Sequence, residues 1–266
     1  MIFGSIASGS SGNCAFASSG NTNLLIDTGI SKKRIEEGLS MNDISASEIN
    51  GILITHEHID HISGLGVFLR KYKDAKVYST KKTIDAILNG NKIGKVEPES
   101  FIAINKDEEF EIGDLTVRAF AISHDAADPV GYRVMHESSS VAVATDMGYY
   151  DEYIIDNLKG INAGIIEANH DVNMLMVGSY PYELKRRILG TKGHLSNESS
   201  GKLIDSILHD DLEYILLGHL SKENNMEELA FESVKNEINL SESPYNTKDF
   251  NIRVAKRDEP MRFMEI

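Results

Sequence analysis

The sequence predicts an α/β protein in which strands and helices alternate and pack in layers. Short apolar runs such as Gly51–Ile54, Val141–Thr145 and Tyr214–Leu217 have the length and β-branched content of buried strands. Segments with apolar residues at helical spacing, such as Ser31–Leu39, Ile62–Tyr72 and Asn225–Ile238, lie between them. A chain of 266 residues with 41% hydrophobic content is long enough for one large core. No Pro/Gly/Ser linker, internal repeat or low-complexity segment marks a boundary, so residues 1–266 are expected to form a single domain.

Taken in order, Ile2–Ala7, Ala15–Ser18 and Asn23–Asp27 are predicted strands, the first two separated by the Ser/Gly loop Ser8–Cys14. A helix over Ser31–Leu39 follows, with Ser31 as its N-cap. Then come a strand at Gly51–Ile54, a helix at Ile62–Tyr72, a strand at Val77–Tyr78 and a helix at Lys82–Leu88. The middle is β-rich, with Ser100–Ile104, Glu109–Ile112, Leu115–Ile122, Val130–His136 and Ser140–Ala144, the last two joined as a hairpin through Glu137-Ser138. Helices at Tyr150–Leu158, Pro181–Leu189, Glu198–Leu208 and Asn225–Ile238 then interleave with strands at Gly164–Glu167 and Tyr214–Leu217. Phe250–Val254 and Met261–Ile266 are predicted late edge strands.

The formal charge of −14 repels polyanions and argues against a protein that coats nucleic acid non-specifically. It does not exclude a nuclease, because two bound dications add four positive charges at the cleft. One cysteine, Cys14, rules out an internal disulfide framework and is read as a small buried residue. No run of 18 apolar residues occurs, and Met1–Ser5 has neither a basic nor a long apolar leader pattern; a cytoplasmic protein without membrane contact is expected.

Thr55–His61, Thr-His-Glu-His-Ile-Asp-His, stands directly after the strand-like run Gly51–Ile54. Alternate residues of an extended chain face one way, so His56, His58 and Asp60 converge, and His61 joins them as the chain turns into a helix. The string is not the His-Glu-x-x-His of helical zinc proteases, because Asp60 stands where the second histidine belongs. His124, Asp146 and His219 each close a predicted strand, and strand ends are where such folds build sites. The seven donors His56, His58, Asp60, His61, His124, Asp146 and His219 suffice for two divalent ions sharing Asp146, zinc or manganese, with iron also admitted by this set. Two such ions would leave room for a bridging hydroxide as nucleophile at neutral pH.

With these donors in place the chain resembles the metallo-β-lactamase-fold superfamily over nearly its whole length. The five motifs stand in order: Asp27 in Leu-Ile-Asp-Thr-Gly, the His-x-His-x-Asp-His string, His124, Asp146 and His219. The resemblance implies a four-layer αββα sandwich with the metals at one edge between two sheets, and Asp27 as an orienting residue behind the ligands. Further strings are similar to the WalJ/YycJ (VicX-like) branch: Ala7–Cys14, Ile122–Pro129, Glu167–Asp171, Tyr180–Ile188, Gly193–Asn197 and Gly218–Asn225. That branch implies a DNA exonuclease directed at 5′ ends, with DNA as the partner. The interval between Asp146 and His219 is too short for a β-CASP insertion, and no long tRNA-binding arm of the RNase Z type is evident. A thioester or lactone hydrolase of the glyoxalase II or lactonase kind, which uses the same metal site, is the alternative.

Lys185-Arg186-Arg187 is the densest basic cluster in this acidic chain, and it precedes Gly193–Asn197, where Ser196 is an expected N-cap. Arginine forks and helix N-termini suit phosphate, so Lys185, Arg186, Arg187, Ser196 and Asn197 are expected phosphate contacts. Ser10, Ser11 and Asn13 in the Ser/Gly loop are expected to form a backbone anion nest. Asp60, His194 and His170 are the expected catalytic residues, with His194, outside the ligand set, suited to protonating a leaving oxygen.

Overall fold

The computed structural model describes residues 1–266. Its strands are β1 (Ile2–Ala7), β2 (Cys14–Ser18), β3 (Asn23–Ile26), β4 (Ile49–Leu53), β5 (Lys76–Thr80), β6 (Phe101–Ile104), β7 (Glu109–Ile112), β8 (Leu115–Ala121), β9 (Val130–His136), β10 (Ser139–Ala144), β11 (Ala163–Glu167), β12 (Tyr214–Gly218), β13 (Asn251–Val254) and β14 (Met264–Glu265). Its helices are α1 (Lys32–Ser40), α2 (Ile59–Ile62), α3 (Leu65–Lys71), α4 (Lys81–Gly90), α5 (Glu152–Leu158), α6 (Val172–Val177), α7 (Tyr182–Ile188), α8 (Asn197–Asp205) and α9 (Glu227–Leu240).

Two seven-stranded sheets form, in the orders β14-β1-β2-β3-β4-β5-β6 and β13-β12-β11-β10-β9-β8-β7. In each, one half is antiparallel and the other parallel: β3 to β6 run parallel in the first, β10 to β13 in the second. Parallel neighbours cannot be joined by a hairpin, and helices accordingly occupy every parallel crossover. The late strands β13 and β14 are the edges of the two sheets, as expected.

Three apolar clusters define the layers. One lies between the sheets and joins Phe3, Leu24 and Ile26 to Tyr132, Val143 and Ile165. A second packs the outer face of the first sheet against α1 and α3 through Phe16, Ile52, Ile35 and Phe68. The third packs the outer face of the second sheet against α5, α8 and α9 through Ala142, Ile166, Leu203 and Val234. The layer order is therefore helix, sheet, sheet, helix, the predicted αββα sandwich. No helix is long and apolar enough to cross a membrane.

Two local predictions are corrected. The expected helix Ile62–Tyr72 is broken, because Gly64 passes so close to the turn after β3 that a Cβ there would lie 2.0 Å from the Ile30 carbonyl oxygen. Its N–H donates to Thr28 O at 2.8 Å, which fixes α2 and α3 as separate segments. The helix α6 was not foreseen: it buries only Leu175, so no apolar period announces it, although Asp171 caps it by accepting from Met174 N–H at 2.7 Å.

Candidate metal centre

The candidate ligands, and Asp27 behind them, all sit just beyond strand C-termini. Asp27 follows β3, the Thr55–His61 string follows β4, His124 follows β8, Asp146 follows β10 and His219 follows β12. Three of these strand-end residues, Asp27 (φ 60°), Asp146 (φ 60°) and His219 (φ 55°), adopt left-handed backbone conformations. For a non-glycine residue this costs about 1–2 kcal/mol each, and such strain persists where the surrounding structure holds a functional geometry.

The structure brings the seven predicted donors together in two adjoining groups. His56, His58 and His124 form one; Asp60, His61 and His219 form the other; within each, the donor atoms lie within 4.8 Å of one another. Asp146 stands between them, with Oδ2 at 3.1 Å from His61 Nε2, and Oδ1 at 3.5 Å from His219 Nε2 and 3.6 Å from His124 Nε2. His61 Nε2 and His219 Nε2 approach Asp60 Oδ2 at 3.5 and 3.4 Å.

Hydrogen bonds behind the donors fix which nitrogen faces inward. His61 Nδ1 meets Asp27 Oδ2 at 2.7 Å, and Asp27 also accepts from the Thr55 N–H and hydroxyl, each at 2.9 Å. His56 Nδ1 contacts the Thr55 hydroxyl at 3.1 Å, and His124 Nδ1 contacts Gly193 O at 3.2 Å. On the other sheet Glu167, fully buried, holds His219 Nδ1 and His194 Nδ1 at 2.8 Å each through the same Oε1. Its Oε2 accepts the N–H groups of Met147 and Leu195 at 2.8 and 3.2 Å. His61, His124 and His219 thus turn their Nε2 atoms toward Asp146, as metal ligands require.

Glu167 is the functional residue missed from sequence. Its signal was present, since it ends an apolar strand as Asp27 and Asp146 do, but its two histidine partners lie 27 and 52 residues away. A further donor group, Asp146, Glu167, His194 and His219, overlaps these. There the Nδ1 atoms of both histidines are already spent on Glu167, so this group is hydrogen-bonded and not open.

The electrostatics show a centre crowded with opposed charges. Burial works against an imidazolium at His61, yet the carboxylates of Asp27, Asp146 and Asp60 hold its pKa well above the ordinary range. Burial is likewise overcome at His219, raised to about 10 chiefly by Asp146. Burial would raise the carboxyl pKa of Asp60 and Asp146, but His61 and His219 depress both. His56 goes the other way: burial, reinforced by neighbouring His61, holds it well below its usual value. The residues fit divalent ions. His56 Nε2 and Asp146 Oδ2 are buried without a hydrogen-bond partner, and five imidazoles beside two carboxylates form a borderline donor set suited to zinc or manganese.

The remaining predicted site residues divide. His194, 17% exposed, is tied to Glu167 by Nδ1, which leaves Nε2 free of that bond. His170 is 1% exposed and neither ring nitrogen has a partner; burial lowers its pKa to about 4. Arg187 grips Asp125 with two bonds, of 2.5 and 3.0 Å, and Asp125 Oδ1 lies 3.4 Å from His124 Nε2. Arg186 is exposed, whereas the Lys185 ammonium caps α6 by donating to Met176 O and Gly178 O at 2.7 Å each. Ser196 is the N-cap of α8, accepting from Ser199 N–H at 3.2 Å.

Two expected phosphate contacts are corrected. Asn197 is fully buried and exchanges two hydrogen bonds with Asn225, at 3.0 and 2.9 Å, so no phosphate reaches it. The anion nest of Ser10, Ser11 and Asn13 is not built either. The N–H groups of Gly9, Ser10, Gly12 and Asn13 are taken by Asn13 Oδ1, Leu220 O, Gly9 O and Asp60 O, leaving the single N–H of Ser11 beside the exposed Ser10 and Ser11 hydroxyls. Asn13 braces the ligand loop instead, its Nδ2 lying 3.2 Å from His61 Nε2.

Residues 22–212 match the family model of the beta-lactamase superfamily domain. Exodeoxyribonuclease YycJ of Bacillus anthracis is 40% identical over 88% of both chains. Exodeoxyribonuclease WalJ of Streptococcus pneumoniae is 40% identical over 88% of this chain and 86% of its own length. Among solved structures, the metallo-beta-lactamase fold protein YhfI from Bacillus subtilis superposes with a TM-score of 0.70 at 15% identity over 96% of both chains. The short form of human tRNase Z superposes with a TM-score of 0.67, also at 15% identity, over 100% of this chain and 99% of its own. The chain therefore belongs to the beta-lactamase superfamily with the metallo-β-lactamase fold, in the branch that includes YycJ and WalJ.

Proposed function

We propose that this protein is a divalent-metal-dependent phosphodiesterase that removes nucleotides from the ends of DNA, acting at 5′ ends in a cytoplasmic setting. The observation that carries the choice of DNA is the 40% identity, along almost the whole of each chain, to two exodeoxyribonucleases. The donor geometry supplies the reaction class. His56, His58 and His124 would hold one ion, Asp60, His61 and His219 another, and Asp146 both. Bound there, zinc or manganese ions supply an activated water and positive charge for the attacked phosphate.

The chain's own residues do the rest. Asp27 and Glu167 keep His61 and His219 in the tautomer whose Nε2 faces inward. In the imidazolium form, His194 can deliver its Nε2 proton to the departing oxygen, while Glu167 against Nδ1 steadies the positive ring. Arg187, held at the rim by Asp125, has the fork geometry to take a neighbouring phosphate. The Arg186 guanidinium and the Ser10, Ser11 and Ser196 hydroxyls are secondary phosphate contacts in this proposal.

Digestion of end-labelled single- and double-stranded DNA with manganese, zinc or EDTA tests the reading. Release of mononucleotides from the 5′ end with metal, and none with EDTA, is expected. No cleavage under any metal condition, together with turnover of a thioester or lactone, would replace it with the alternative hydrolase.

A further inference from the structure

The loop between β1 and β2, residues Ser8–Asn13, touches metal-donor residues from both sheets. On the first sheet's side, the Asn13 N–H donates to Asp60 O at 2.8 Å, and Asn13 Nδ2 lies 3.4 Å from the same oxygen and 3.2 Å from His61 Nε2. Asn13 O in turn accepts the Gly29 N–H at 2.7 Å. A Cβ on Gly29 would stand 1.6 Å from Asp60 O, so that carbonyl is seated in a slot between Gly29 and Asn13. On the second sheet's side, Ser8 Oγ accepts the His219 N–H at 2.9 Å, and Leu220 O accepts the Ser10 N–H at 3.5 Å and the Arg257 guanidinium at 2.9 Å. The two sides are joined inside the loop, where the Ser8 hydroxyl and the Gly9 N–H donate to Asn13 Oδ1 at 3.3 and 3.0 Å. These two donors fix which end of the amide is the oxygen, and so direct the NH₂ toward Asp60 and His61.

Asp60, His61 and His219 are the three donors of one group, and they come from different sheets. His219 holds φ 55°, which costs a histidine strain energy, and its N–H bond to Ser8 is one of the contacts that keep it there. The other group, His56, His58 and His124, makes no hydrogen bond to residues 8–13; its loops are linked across the sheets by the Ala127 N–H to Glu57 Oε1 at 2.8 Å. Ser8 and Asn13 are both buried, so they act on the ligand loops and not on substrate.

We propose that the Ser8–Asn13 loop is a buckle for one of the two ion sites: Asn13 and Ser8 are positioning residues that hold the Asp60/His61 and His219 halves of that site in register, and the neighbouring site does not depend on them. The inference rests on the two-ion reading given above and assigns the two sites separate supports.

Zinc affinity, measured by competition with a chromophoric chelator, tests it without recourse to activity. His58→Ala/His124→Ala confines zinc to the Asp60, His61 and His219 group, and Asp60→Ala/His219→Ala confines it to the other. Adding Asn13→Ala should raise the zinc Kd at least about tenfold in the first background and change it less than about twofold in the second. Ser8→Ala removes a single hydroxyl and should shift the Kd in the same direction, again in the first background only. Circular dichroism checks the fold of each variant; if Asn13→Ala does not fold, the Ser8→Ala pair decides. Equal losses in both backgrounds, or none in either, overturn the inference. A wild-type protein that takes up fewer than two zinc ions refutes the two-ion reading first, and the buckle falls with it.

Discussion

The two sheets brace the candidate centre with one buried carboxylate each, and the two carboxylates do different things. Asp27, after β3, holds a single imidazole, His61, and binds the Thr55 N–H and hydroxyl at the start of the ligand string. Glu167, at the end of β11, holds two imidazoles through one oxygen, His219 from the donor set and His194 from outside it. Asp27 therefore acts on the geometry of the ligands alone. Glu167 ties that geometry to His194, the histidine proposed for proton transfer, so loss of its charge should disturb both.

The largest effect is expected where the two donor groups meet. Asp146→Ala removes the carboxylate that faces both, and turnover should fall on the order of 10³-fold, beyond the 10–100-fold typical of a bracing residue. Metal content measured by atomic emission should fall with it; a variant that keeps full metal and activity would remove Asp146 from the centre. The bracing pair comes next. Asp27→Asn and Glu167→Gln should each cost about 10–100-fold in activity at limiting metal. Excess manganese or zinc should restore Asp27→Asn, while Glu167→Gln stays about tenfold short because His194 has lost its anionic partner. Equal rescue of both would erase the distinction between the two sheets.

How legible each side was in the sequence follows from where its partners lie. The Thr55–His61 string packs four donors into adjacent residues, and an extended chain turning into a helix was enough to converge them. His124, Asp146 and His219 were legible because apolar strands stop just before them, and Asp27 was found through its family motif. Glu167 ends the equally apolar Ala163–Glu167, but nothing local says that a buried carboxylate there meets two histidines. Asn197 failed for the same reason in reverse: next to an N-cap serine it resembles an exposed polar residue, and its partner Asn225 is 28 positions away. The break at Ser63-Gly64 was hidden because the apolar period runs straight through it, and only the close approach of the turn after β3 enforces it.

His194 provides a smaller and more selective test of the Glu167 side. With Nδ1 bonded to Glu167 and no place in either open donor group, it should be dispensable for metal. His194→Ala is expected to keep metal content while lowering turnover at least about tenfold. Adding a leaving group that needs no protonation, such as p-nitrophenol in a phosphodiester probe, should shrink the deficit. Unchanged turnover on DNA would place His194 outside the mechanism and leave Glu167 with the same single duty as Asp27.

The smallest effect concerns His170, which lies near Glu167 but serves neither carboxylate directly. It is 1% exposed, both ring nitrogens lack partners, and burial lowers its pKa to about 4 against an ordinary 6.5. Glu167, Glu198 and Asp171 oppose that depression and His194 adds to it. The unfolded chain takes up a proton at this residue near pH 6.5, whereas the folded chain resists until about pH 4. The stability contribution is therefore complete above pH 6.5 and is lost as pH falls toward 4, by roughly 3 kcal/mol at most. Glutamine cannot titrate, so urea denaturation of His170→Gln in EDTA should show a shallower loss of stability than wild type between pH 7 and pH 4.5, whatever the two proteins' stabilities at pH 7. Parallel pH profiles would mean that the imidazole is hydrated or bonded in solution, and that the region behind Glu167 is less dry than the region behind Asp27.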